Sequence, residues 1–136
     1  MKKILIKRSV IESLLSYAKI CHPKEGILLL RGKVGKDLIE VNEVEIPPLS
    51  VHGKGFSTFP THMLPIDFSI IGVAHSHPSG IPLPSTADLN NFYGKIMIIV
   101  AYPYGSERDI IVVNGRGERL NYEVINDINS GDLSDC

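Results

Sequence analysis

His75 and His77 stand two residues apart, at the end of the apolar run Ile70-Ile71-Gly72-Val73-Ala74. Side chains two apart on an extended chain share a face, so both imidazoles can reach one metal ion. Seven residues further on comes Ser85, and two after that Asp88. Taken alone, His-x-His is compatible with a solvated pair. Ser-x-x-Asp alone has the form of a helix cap, in which hydroxyl and carboxylate satisfy backbone N–H groups that the first turn leaves without partners. The full pattern His-x-His-x7-Ser-x2-Asp has a chance expectation of roughly one in a thousand in a chain like this, so the four residues are treated as one constellation.

The elements that must position these residues can be traced along the chain. Ser9-Val10-Ile11-Glu12 has the form of a capping box, and Val10, Ile11, Leu14, Leu15 and Ala18 follow at helical spacing, which predicts a helix from about Ser9 to Ile20. His22-Pro23 stops it, and the apolar run from Gly26 to Leu30 predicts a buried strand with Glu25 at its edge. Imperfect alternation from Asp37 to Ile46 predicts a second strand, with Ile39, Val41, Val44 and Ile46 inward. Pro47-Pro48 ends it, and the segment to Pro60 has the composition of a mobile loop, long enough to carry a function.

The strand from Ile70 runs into the histidines, and Pro78, Gly80, Pro82 and Pro84 hold the chain irregular until Ser85 opens a short helix to about Tyr93. Lys95 to Tyr102 is predicted as a central strand. Asp109 to Val113 and Leu120 to Ile125 are predicted as a closing hairpin about the turn Asn114-Gly115. The polar tail, residues 126–136, has too few apolar residues to dock and is expected to be disordered, leaving one domain over residues 1–125. With no internal repeat, this order of elements predicts a mixed α/β domain.

Composition narrows the function classes. A length of 136 residues with 43% apolar content suits one core. A net charge of −1 without a Lys/Arg block lacks the electrostatic footprint of a nucleic-acid binder. Met1 to Ile6 begins like a signal peptide, but Lys7 and Arg8 cut the apolar run short, and a cytoplasmic location is expected. No apolar run approaches the roughly 20 residues that span a bilayer. Two cysteines, Cys21 and Cys136, make no framework and no Cys-x-x-Cys pair; a buried thiol and a tail thiol are expected. His22, His52 and His62 show no spacing to a carboxylate or cysteine and are assigned no chemistry.

With an upstream glutamate, His75-x-His77-x7-Ser85-x2-Asp88 resembles the signature of the JAMM (MPN, Mov34) zinc metalloproteases at every spacing. His22-Pro23-Lys24-Glu25, Thr61-His62-Met63-Leu64-Pro65 and Val100-Ala101-Tyr102-Pro103 are similar to the short prokaryotic members. The resemblance runs from about the first helix to Ile125 and implies a cytidine-deaminase-like α/β/α fold with a mixed central sheet. It also implies that His75, His77 and Asp88 ligate Zn2+ with a fourth position open to water, as in catalytic zinc sites. Glu25 is then the general acid/base, and Ser85 the donor to the oxyanion, a role that can coexist with capping.

The implied activity is hydrolysis of (iso)peptide bonds after the C-terminal diglycine of a ubiquitin-like modifier or sulfur-carrier protein. The substrate tail is expected as an added strand beside residues 47–60. Two rivals remain. A zinc deaminase needs His-x-Glu and Pro-Cys-x-x-Cys, which this chain lacks. A non-catalytic MPN-type scaffold for protein partners shares the fold without needing the ligands, all of which are present here.

Overall fold

The computed structural model describes residues 2–47, 51–53, 56–58 and 69–127. Its elements in chain order are β1 (Lys3–Lys7), α1 (Arg8–Cys21), β2 (Ile27–Val34), β3 (Leu38–Glu45), β4 (Val51–Gly53), β5 (Phe56–Thr58), β6 (Ile70–His77), α2 (Thr86–Asn90), β7 (Ile96–Ala101), β8 (Ile110–Val113), β9 (Arg119–Leu120) and β10 (Glu123–Ile125). Eight strands form one mixed sheet in the order β10-β1-β3-β2-β6-β7-β8-β9, while β4 and β5 pair only with each other. The sheet curls, so that Lys3 and Glu123 near one edge and Arg119 and Leu120 at the other line a common hollow.

The three apolar runs make the middle of this sheet. Every residue of β6, β7 and β8 is buried, as continuous apolar strands covered on both faces should be. One face packs against α1 through Val10, Ile11, Leu14 and Ala18, where each large apolar side chain withdrawn from water contributes about 1.5–3 kcal/mol. The other face gathers Ile27, Leu29, Val73, Met97, Ile99 and Ile111 under Phe92 and Tyr93, which follow α2. Gly72 lets β6 and β7 approach: a Cβ there would lie 2.0 Å from the carbonyl oxygen of Ile96. The expected mixed α/β single-domain architecture is thus present, with helices on both faces of a mixed sheet.

Several local expectations are corrected. Residues 3–7 form a strand, because Ile4 and Ile6 alternate inward while Lys3, Leu5 and Lys7 between and beside them face the other way and stay at least partly at the surface. The Ser9 capping box does not form. The helix begins at Arg8, and the Ser9 amide and hydroxyl both donate to the carboxylate of Asp127, far away in sequence. Leu120 to Ile125 is two strands, not one: β9 pairs antiparallel with β8, and β10 crosses to pair parallel with β1. A register shift between Arg31 and Gly32 brings Val44 onto the core side of β3 with Ile39 and Val41, where it packs half-buried against the core, whereas Ile46, just past the end of β3, is exposed. Helix α2 ends at Asn90, and Cys21 is half-buried. The segment expected as a loop contains the β4–β5 hairpin. Residues 128–136, and His62 with its neighbours, lie outside the described residues.

Candidate active site

Strand β6 is held between β2 and β7, so the two histidines rise from the interior of the sheet. Alternation places Val73, His75 and His77 on the face away from α1, and both imidazoles are buried. The chain then turns through Gly80, whose N–H donates to the His77 carbonyl at 3.0 Å and whose φ of +81° suits glycine. It arrives at Ser85, the N-cap of α2. There the Ser85 hydroxyl accepts from the Asp88 N–H at 3.0 Å, and Asp88 Oδ2 accepts from the Ser85 N–H at 2.9 Å. The capping box is real, and it aims the Asp88 carboxylate at the histidines: Oδ2 lies 3.0 Å from His77 Nε2 and Oδ1 lies 3.9 Å from His75 Nδ1.

The residues fit a bound cation. His77 Nδ1 is 3.0 Å from the Ile81 carbonyl, which can only accept, so Nδ1 carries the hydrogen. Nε2 of neutral His77 then faces a carboxylate oxygen with a lone pair, and two acceptors 3.0 Å apart require a cation between them, either a proton or a metal. His75 Nδ1 is buried without a hydrogen-bond partner, as a nitrogen reserved for a metal would be. Donors at about 2.0–2.2 Å from a tetrahedral zinc stand about 3.3–3.5 Å from one another, and the two histidines approach the two oxygens of Asp88 to 3.0 and 3.9 Å, one oxygen each.

Protonation follows the same pattern. Burial alone would raise the Asp88 carboxyl, but hydrogen bonds from His77 and Ser85 and the histidine charges outweigh it and hold the pKa at about 2. Burial lowers His75, keeping it neutral and able to coordinate. Burial also opposes charge on His77, yet the Asp88 hydrogen bond, the Ile81 carbonyl and the Asp88 and Glu25 charges raise it. Without a metal, a proton therefore takes the cation's place between His77 and Asp88.

Glu25 stands half-buried just before β2, and its carboxylate joins His77 and Asp88 in a group whose potential ligand atoms lie within 4.8 Å of one another. Geometry alone would allow Glu25 as the third ligand in place of His75. Burial pushes the Glu25 carboxyl up to about 7, the range of a group that exchanges protons near neutrality. The geometry thus offers two donor sets, His77 and Asp88 with either His75 or Glu25.

Glu25, His77 and Ser85 open together onto a cleft of about 410 Å3 walled by Ile81, Leu83 and Pro84. Ile81 and Leu83, 56% and 63% exposed, were passed over in the sequence as loop residues between prolines. Two large apolar residues in such a loop, with no place in a helix or strand pattern, were the available signal. A larger hollow of about 730 Å3, lined by Lys2, Lys95, Arg119 and Tyr122 among others, lies at the opposite end of the strands and contains no histidine. Volume alone does not mark the reactive centre.

Comparison with known proteins bears on the same residues. Residues 7–113 match the family model Prok-JAB, prokaryotic homologues of the JAB domain. A probable metalloprotease of Haloferax volcanii is 36% identical over 121 residues, covering 84% of this chain and 72% of its own length. A JAB1/MPN domain protein from Archaeoglobus fulgidus superposes with a TM-score of 0.65 at 36% identity, over 92% of this chain and 99% of that one. A structure described as a JAMM metalloprotease-like zinc site in the proteasome and signalosome superposes at 0.64 with 31% identity, over 91% and 99%.

Proposed function

This chain belongs to the Prok-JAB family of prokaryotic JAB-domain homologues, and from that premise we propose that it is a zinc-dependent hydrolase of the (iso)peptide bond following the C-terminal diglycine of a ubiquitin-like modifier or sulfur-carrier protein. The observation that carries hydrolysis is the convergence of His77 Nε2 and the Asp88 carboxylate at 3.0 Å, beside a buried His75 nitrogen that makes no hydrogen bond and next to the Glu25 carboxyl. His75, His77 and Asp88 hold the zinc. Zinc supplies Lewis acidity there, lowering the pKa of water towards neutrality and polarising a carbonyl oxygen. Glu25 takes the proton from the attacking water and returns it to the leaving amine, so that the amine departs neutral.

Ser85 acts from the cleft wall. Its oxygen accepts from the Asp88 N–H, which leaves its own O–H to donate to the oxyanion that develops as water adds. Ser85→Ala is expected to lower kcat by roughly 10²-fold with KM little changed, whereas loss of a cap alone costs about 1 kcal/mol of stability. Unchanged kcat with a lowered Tm would assign Ser85 to the helix alone.

The diglycine preference follows from what can grip glycine. Lacking side chains, two glycines are held by backbone hydrogen bonds, as in β-strand addition, and can thread a narrow approach. The tail lies beside residues 47–60, of which β4 and β5 are the described strands. The exposed Ile81 and Leu83 cover the chain near the bond to be cut. The test is hydrolysis of a fusion carrying a ubiquitin-like tail, native or with its penultimate glycine replaced by a bulky residue. Cleavage of the native tail and a block of the altered one are expected. Equal rates for both would sink the diglycine reading while leaving the hydrolase reading intact.

A further inference from the structure

Glu25 belongs to no helix or strand. It sits in the connector of residues 22–26 between α1 and β2, and its carboxylate lies beside His77 and Asp88. We propose that two positioning residues clamp this connector at its ends, Ser76 of the ligand-bearing strand β6 at one and Tyr104, just past the end of β7, at the other. The role in catalysis rests on Glu25 being the acid/base; the clamp itself does not.

At the first end, the Gly26 N–H donates to the Ser76 hydroxyl at 2.7 Å in a buried bond, and the Ser76 N–H donates to the Gly26 carbonyl at 3.0 Å. Gly26, the residue that follows Glu25, is thus tied through both its N–H and its C=O to one residue. That residue lies between His75 and His77, and alternation turns its side chain to the α1 face, so its hydroxyl is withdrawn from the ligand set. Gly26 itself has no room for a side chain: a Cβ would stand 2.9 Å from Cys21 Sγ and from the Tyr17 ring. The connector is seated against α1, and Ser76 is the polar contact that fixes where its last amide points.

At the other end, His22 Nδ1 and the Tyr104 hydroxyl are hydrogen-bonded at 2.9 Å, and the His22 ring stacks on Tyr102 with centroids 4.8 Å apart. The Tyr102 N–H donates to the His77 carbonyl at 3.0 Å, and Tyr104 is buried. Both anchors therefore lead back to the strand that carries the histidines, one through its side chain and the other through its backbone. The His22-Pro23 and Tyr102-Pro103 segments, distant in sequence, meet in this second anchor. A displacement of about 1 Å in a catalytic group can cost on the order of 10²-fold in rate, which is the penalty a clamp of this kind avoids.

The test compares wild type with Ser76→Ala, Ser76→Thr and Tyr104→Phe by two readouts: steady-state kinetics of the zinc-loaded enzyme, and crystal structures of the metal-free proteins. Ser76→Ala is expected to lower kcat by about 10- to 100-fold, with KM within about twofold, zinc content at one per chain, and the Glu25 carboxylate displaced from His77 and Asp88. Ser76→Thr, which keeps the hydroxyl, restores both. Tyr104→Phe gives a smaller loss of the same kind and carries the test should Ser76→Ala fail to fold. A Glu25 carboxylate unmoved in Ser76→Ala and Tyr104→Phe overturns the clamp, as does kcat unchanged in both. If wild type cleaves nothing while Glu25 moves in the variants, the clamp stands and the proposed hydrolase function falls.

Discussion

Glu25→Gln is expected to lower kcat by about 10³-fold or more while the protein still binds one zinc per chain. The amide matches the carboxyl in size and still hydrogen-bonds, but it cannot take a proton from water or return one to an amine. Metal content separates the two roles open to Glu25, because its carboxylate lies within ligand distance of His77 and Asp88. A ligand replaced by Gln would lose zinc together with activity, whereas an acid/base loses activity alone. The metal-free variant should melt no lower than wild type, since burial already disfavours the charged glutamate. The sign of the pH dependence follows. Glu25 accepts a proton only when ionised, so wild-type kcat/KM falls as pH drops through its pKa, which burial places at about 7 in the metal-free protein. The residual activity of Glu25→Gln should lack that limb.

Asp88→Asn is expected to weaken zinc binding by at least about 10²-fold, measured by competition with a chelator, and to abolish turnover at stoichiometric zinc. Asparagine keeps an oxygen for the Ser85 N–H and the backbone N–H that the Ser85 hydroxyl caps, so α2 retains its start. What is lost is the negative charge between the two histidines. The same charge links stability to pH in the metal-free protein. With a folded-state pKa of about 2, below its unfolded value, Asp88 contributes stability that is fully present above about pH 4 and is lost as pH falls through about 2. Asp88→Asn should lose stability at neutral pH and show a shallower decline in acid. Zinc affinity equal to wild type would remove Asp88 from the ligand set.

The site was legible in the sequence because its parts are local. His75 and His77 lie on one strand, Ser85 and Asp88 on one helical turn, and the two short patterns fall together at spacings that chance rarely produces. The middle of the sheet was legible for a related reason: runs such as residues 96–100 cannot be placed in water on either face. The edges were not. Strand β1 is a run of three apolar residues bounded by lysines, and β9 and β10 have two and three residues, all too few for periodicity to register. Ser9 had the right partner type at Glu12, but a carboxylate 118 positions away outcompetes it. Ser76, His22 and Tyr104 act through contacts between distant segments, and nothing in their immediate neighbours announces that they will meet. Where a residue's role depends on what the fold brings to it, local pattern is silent.

We propose that zinc held by His75, His77 and Asp88 drives hydrolysis of a diglycine-terminated bond. This is tested most directly by stripping the purified protein with chelator and titrating zinc back while following cleavage of a diglycine-linked fusion. Turnover should vanish on stripping and return linearly to a plateau at one zinc per chain. Cleavage that persists in the fully stripped protein, or that fails to return once one zinc per chain is bound, would contradict the account.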